Sequence, residues 1–297
     1  MPRPDGGDGA DADRRTLERL LALARRLFAG RLRAFVPPRD AGASLEFEEH
    51  RRYGSGDDLR TVDWNVYRRL SQVVVKRFRA ERDGKVALLV DASGSMRVGH
   101  PPKLAFAQRI ARAIGYLSLH LYDELRLGWL PADAQRPFAA YRGRGRIGAL
   151  FADLARPPES ASGDVARDLR DLLACHGGRG RAIVVGDFCG ADPGGALGYL
   201  AARRLPVDVV HVVAPDELEL PPELDGAVHV LDAEADHVLE LELDPRARQA
   251  YAALVHEHLD LVRSAALRRR LAYHRVSTAA GLEDTLQSFL ATGAFLS

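Results

Sequence analysis

Two periodicities share this chain. Leu17, Leu20, Leu21, Ala24, Leu27 and Phe28 recur at helical spacing, which predicts a helix over 16–29 that Gly30 stops. A charged, irregular stretch follows over 45–78, and its end, Gln72 to Phe78, alternates like a strand. From Val86 the pattern becomes strand, helix, strand, repeatedly. VALLV runs straight into Asp91, and Leu104, Ala107, Ile110, Ile114, Leu117 and Leu121 then mark one face of a long helix. LRLGWL (125–130) and FAAY (138–141) read as a strand pair, with helices expected over 147–155 and 165–174. AIVVG ends at Asp187, and VDVVHVV (207–213) gives a further strand. AVHVL and VLELEL alternate about the polar segment 232–237, the pattern of a hairpin. Asp244-Pro245 joins an N-cap to a proline at the first helical position, opening a helix expected to turn Tyr251, Leu254, Val255, His258 and Val262 inward. LAYHRV and a short helix over 282–290 complete the pattern.

Strands that alternate with helices and are apolar throughout predict an α/β fold, its mainly parallel sheet covered on both faces. Ligands of such sheets bind in the crevice beyond the carboxyl ends of the strands. Asp91, Ser93, Ser95 and Asp187 all fall just past strand ends of that kind.

Composition narrows the field. The 297 residues are 46% hydrophobic, enough for a sizeable core, and the net charge of +1 supplies no global field towards nucleic acid or membrane. Lys76, Lys85 and Lys103 are the only lysines, so an arginine cluster here reflects compositional bias before it suggests a phosphate site. Cys175 and Cys189 do not make a disulfide framework. No apolar run approaches the roughly 18–20 residues of a membrane span. The polar, acidic start lacks the apolar centre of a signal peptide, so a cytoplasmic chain with a disordered segment 1–15 is expected.

Hydroxyls two residues apart on an extended loop suit a hard divalent cation, which takes oxygen ligands and retains several waters. Ser93 and Ser95 offer such a pair, and Asp91 and Asp187 offer charge directly or through water. A centre so poor in direct carboxylates stays electrophilic and accepts an anionic oxygen from elsewhere. The plainer reading is that a serine or aspartate after a strand caps the next helix or makes a turn.

VDASGSM is similar to the metal-ion-dependent adhesion site of von Willebrand factor type A domains. The stretch upstream, EFEEHRRYGSGDDLRTVDWNVY followed by VVVKRF, resembles the signature of the bacterial family called domain of unknown function 58, DUF58. The matching residues are Glu46, Phe47, Glu48, Arg52, Tyr53, Gly56, Asp57, Asp58, Arg60, Asp63 and Trp64. One position departs: His50, followed by Arg51 and Arg52, stands where the family has its first arginine. The resemblance runs from about Leu45 to the C-terminus and includes APDEL (214–218).

It implies a Rossmann-like type A domain over 85–297, with a hairpin inserted near 226–243. A helix and signature segment over 16–84 precede that domain. It also implies a metal site of Asp91, Ser93 and Ser95 in the first loop and Asp187 in the third, holding Mg²⁺ or Mn²⁺. Its second loop departs from the usual Gly-Gly-Thr and reads Ser160 to Asp164, leaving Ser162 or Asp164 as substitutes. The function implied is a non-enzymatic adaptor or assembly cofactor for a MoxR-type AAA+ ATPase, with a client protein as a further partner. A Mg²⁺-dependent hydrolase of phosphate esters is the alternative, with no clear nucleophile in the sequence.

Rival motifs weigh less. Gly143 to Gly148 spells GxGxxG but follows a short strand of a hairpin-like pair, so a solvated Arg-Gly loop is expected. Arg142, Arg144, Arg146, Arg179 and Arg181 lack the interleaved aromatics of a nucleic-acid surface. His256 and His258 point to different helix faces, Cys175-His176 is mere adjacency, and Cys189 reads as a small buried thiol. The block Asp57, Asp58, Arg60 and Asp63, with Trp64 as apolar anchor, reads as a structural ion-pair network or a docking surface.

Overall fold

A computed structural model describes residues 15–24, 46–52, 54, 64–70, 72–79, 84–131, 138–159, 165–175, 180–189, 192–203, 205–233 and 237–291. It forms two units, Arg31–Asp83 and the rest of the chain. In chain order the elements are α1 (15–24), β1 (Glu46–Arg52), α2 (Trp64–Leu70), β2 (Val74–Arg79), β3 (Lys85–Asp91), α3 (Lys103–Leu121), β4 (Glu124–Leu130) and β5 (Ala139–Arg142). Then come α4 (Ile147–Leu154), α5 (Val165–Cys175), β6 (Arg181–Gly186), α6 (Pro193–Ala202), β7 (Val207–Val213) and α7 (Pro215–Leu218). β8 (Gly226–Leu231), β9 (Val238–Leu243), α8 (Pro245–Arg268), β10 (Ala272–Ser277) and α9 (Leu282–Ala291) complete the described chain.

In the smaller unit β1 and β2 pair antiparallel, with an irregularity between Phe47 and Glu49. Of the signature residues, Glu46, Phe47, Glu48 and Arg52 fall in β1 and Trp64 opens α2. Tyr53, Gly56, Asp57, Asp58, Arg60 and Asp63 lie outside the described residues, as do Ser162 and Asp164.

The larger unit holds a six-stranded sheet in the order β10-β7-β6-β3-β4-β5. Every neighbouring pair is parallel except β4 and β5. Counted within the sheet alone and read from the β5 edge, this is the 3-2-1-4-5-6 order of a doubly wound fold with an antiparallel edge strand. That order makes the larger unit a doubly wound α/β fold.

β3 shows why its sequence is apolar without a break. Val86, Leu88 and Val90 enter one core with α1, α3, α4 and α9, while Ala87 and Leu89 enter the other with α5, α6 and α8. A strand buried on both faces has no side left for polar residues. The expected hairpin is β8 and β9, paired antiparallel from Gly226 to Leu243, with Leu231, Val238 and Leu239 exposed. Asp244 caps α8, its Oδ1 accepting from Ala247 N at 2.7 Å. On α8 one inward assignment fails: Leu254 is 65% exposed. It lies about 100° around the helix from Val255, and only the latter shares the buried side. No described helix is long and apolar enough to cross a membrane.

Candidate functional site at the carboxyl ends of the strands

β3 delivers Asp91 to the top of the sheet. Its neighbour there is Gly186, the last residue of β6, where an added Cβ would stand 2.7 Å from Asp91 Cβ and 2.9 Å from its Oδ2. Glycine is thus what lets the carboxylate lie against the strand. Ser93 N donates to Asp91 Oδ1 at 2.9 Å, folding the loop back on the strand end. A 3₁₀ turn, Ser95–Arg97, follows and leaves Ser93 Oγ and Ser95 Oγ 3.1 Å apart.

Asp187 follows β6 directly. Its Oδ1 accepts from Cys189 N at 3.0 Å and its Oδ2 from Lys103 Nζ at 2.7 Å, while the Ser95 hydroxyl also bonds the carboxylate. Phe188, between them, has φ +55, a left-handed backbone that costs a non-glycine residue about 1 kcal/mol or more. The turn it makes carries the chain round so that Cys189 N reaches Asp187. The four residues expected as one constellation, Asp91, Ser93, Ser95 and Asp187, are therefore brought together.

The cation among them carries no signal in the sequence. Lys103, the first residue of α3, is 1% exposed, and its ammonium bonds both Asp187 and Glu217 of α7. Glu217 also accepts from Ala214 N at 3.1 Å, and its carbonyl accepts from Tyr251 OH at 2.9 Å. Gly99 allows this approach: its φ is +98 and an added Cβ would stand 2.5 Å from Ala214 Cβ. His100 N, next along the loop, donates to Asp216 Oδ1 at 3.0 Å. Burial alone would drive the Lys103 pKa down, but Asp187 and then Glu217 outweigh it and hold the ammonium charged well above its ordinary range. Burial likewise opposes ionisation of Asp187, and the Lys103 charge, helped by Cys189 N and Ser95, holds that carboxyl below its usual value.

Beside the ammonium opens a cleft of about 280 Å³ between β7 and α8, lined among others by His211, Tyr251 and His258. His258 Nε2 donates to Asp187 O at 3.1 Å. His211 shares a 2.9 Å hydrogen bond with Tyr273 OH, and burial, then the neighbouring His258, depress its pKa to about 3, so it is neutral. Cys189 is exposed as a residue, contrary to the buried thiol expected, because it sits in the loop at the rim. Its sulfur turns back to within 3.8 Å of Asp187 O and 3.9 Å of His258 Nε2. Crowding by protein, then the Asp187 charge, pushes its pKa up, so the sulfur is a thiol rather than a thiolate nucleophile.

The hydroxyl pair, 3.1 Å apart, matches two adjacent vertices of an octahedral metal shell, whose oxygens stand roughly 3 Å apart for ligands at about 2.1 Å. The ammonium competes with a metal for Asp187. A dication sharing Asp187 with the ammonium would lie about 4–5 Å from it, a repulsion of roughly 7 kcal/mol at an effective dielectric of 20. Both Asp187 oxygens already carry bonds. Among the described residues no group of three His, Cys, Asp or Glu side chains is arranged to hold a metal ion. As arranged, the described residues fit an ammonium and do not fit Mg²⁺ or Mn²⁺ beside it.

The GxGxxG stretch follows β5, the antiparallel edge strand, and its Arg144 and Arg146 are solvated, as expected of an Arg-Gly loop. His256 is exposed and bonds its own helix through Nδ1 to Ala252 O, pointing away from His258.

The uncharacterized proteins Rv1480 of Mycobacterium tuberculosis and Mb1516 of Mycobacterium bovis are each 31% identical to this chain over 224 residues, 73% of it and 69% of theirs. Among solved structures, an aerotolerance-related membrane protein from Bacteroides fragilis aligns over 70% of this chain and 97% of its own at 17% identity and TM-score 0.39. A von Willebrand factor type A protein from Catenulispora acidiphila aligns over 76% and 45% at 11% identity and TM-score 0.36. The model of the protein family of unknown function DUF58 matches residues 49–260. The chain, with its type A-like sheet and the signature upstream, belongs to the DUF58 family.

Proposed function

We propose that this chain is a non-enzymatic protein-interaction module whose partner docks on the loops beyond β3, β6 and β7. What supports this reading is the chemistry of that face. Two hydroxyls bond each other and a buried carboxylate, and the nearest sulfur is held protonated. None of these is an activated nucleophile. The same face offers features a partner reads directly: the serine pair, the rim formed by exposed Arg97 and Val98, and the cleft beside Lys103. The family resemblance points to a MoxR-type AAA+ ATPase as that partner, with this chain acting as adaptor or assembly cofactor for a client.

The test is co-purification of a MoxR-type AAA+ ATPase with the wild-type chain and with Val98→Arg and Ser95→Tyr, which place bulk on the face. Retention by wild type and loss in both variants is expected. An ATPase held equally by all three would remove the face from the reading. Turnover of a phosphate ester with Mg²⁺ that Ser93→Ala abolishes would replace the module with a hydrolase.

A further inference from the structure

We propose that the Lys103 ammonium is the resident cation of this site, and that the face operates without a divalent metal. The inference concerns the same face as the interaction module but stands on the isolated chain, whatever its partner.

Four observations carry it. First, the position is unfavourable for a lysine on local grounds. Lys103 opens α3, where the helix dipole presents its positive end and an acidic residue is preferred. Second, a lysine on a soluble protein normally keeps its charge in water, whereas this one is buried to 1%. Third, the carboxylates that compensate it come from two other elements: Asp187 from the end of β6 at 2.7 Å and Glu217 from α7. Two separate parts of the sheet's top thus converge on the one ammonium of α3. Fourth, the Ser93–Ser95 hydroxyl pair joins that group through Asp187 rather than standing apart from it. The arrangement meets the need that a dication meets in an all-oxygen site, which is neutralising convergent carboxylates, by covalent means.

Recognition changes with it. A metal-centred site presents an open coordination position to a partner's carboxylate. Here the one ammonium is already shared by Asp187 and Glu217, so its charge is not open to a partner's carboxylate. The partner group suited to this face is a hydrogen-bond donor or a cation directed at the serine hydroxyls and carboxylates.

Mn²⁺ titration of the isolated chain, followed by loss of the free-ion electron paramagnetic resonance signal, is the test, with Lys103→Ser alongside. Wild type is expected to take up no ion in a saturable way, and its melting temperature to be the same in Mg²⁺ and in chelator. Lys103→Ser, which removes the ammonium, is expected to bind Mn²⁺ saturably, with a dissociation constant at least about tenfold below the highest concentration at which wild type takes up none, because the competing charge is gone. One-to-one uptake by wild type that Asp91→Ala abolishes would overturn the proposal. Should Lys103→Ser not yield folded protein, the wild-type titration decides alone. The measurement contains no partner, so its failure is distinguishable from failure of the docking reading.

Discussion

Removing the Lys103 side chain strands Asp187 in a nearly waterless setting. Lys103→Met is therefore expected to lower unfolding free energy by about 3–5 kcal/mol in urea titration, the usual cost of breaking a buried ion pair from one side. The double variant Lys103→Met with Asp187→Leu should recover part of that loss, since the damage comes from the unpaired charge. His211 sets a second expectation. Its folded pKa of about 3 lies below its ordinary 6.5, so the unfolded chain takes up a proton first as pH falls. Its contribution is complete above pH 6.5 and is lost progressively down to about pH 3, by as much as roughly 3–5 kcal/mol. His211→Phe, which keeps a ring beside Phe188, should flatten the pH dependence of the melting temperature in that window. Asp187 has the same sign further into acid: its lowered pKa makes its share of stability present above about pH 4 and lost below it.

At the scale of elements, strand ends were legible and the groups that meet them were not. Asp91 and Asp187 were visible because an uninterrupted apolar strand that stops at a carboxylate marks the top of a parallel sheet. Lys103 was not, because a lysine at the head of an amphipathic helix looks like any solvated residue. Only the turn at Gly99 and the placement of α7 reveal that it is buried. Glu217 lay in the APDEL stretch noted for family resemblance, with nothing local to show that it faces a residue more than a hundred positions away. Leu254 misled because helical spacing on α8 accommodates more apolar positions than its buried side. Gly186→Ala tests the junction between elements. The added methyl meets Asp91 at 2.7 Å, so a loss of about 1–3 kcal/mol with the Ser93–Ser95 loop displaced is expected from urea unfolding and amide exchange of residues 92–98.

For the whole molecule, apolar surface divides into parts that stabilise it and parts that do not. Leu231 and Leu239 of the hairpin are exposed, so changing both to Ser should move the melting temperature by no more than about 1 °C. A fall of several degrees would mean that the hairpin is covered in solution. α8 connects these regions. With 24 residues it is about 36 Å long. Val262, Ala265 and Ala266 are embedded in the core, whereas Tyr251 and His258 reach the rim of the cleft. The firm anchorage of α8 lies near Val262, some way from its start. A tilt of about 5° about that point would displace Tyr251 by roughly 1.4 Å at an arm of about 16 Å. Travel of that size would part the 2.9 Å bond from Tyr251 OH to the Glu217 backbone carbonyl, removing one restraint on the residue whose carboxylate holds Lys103.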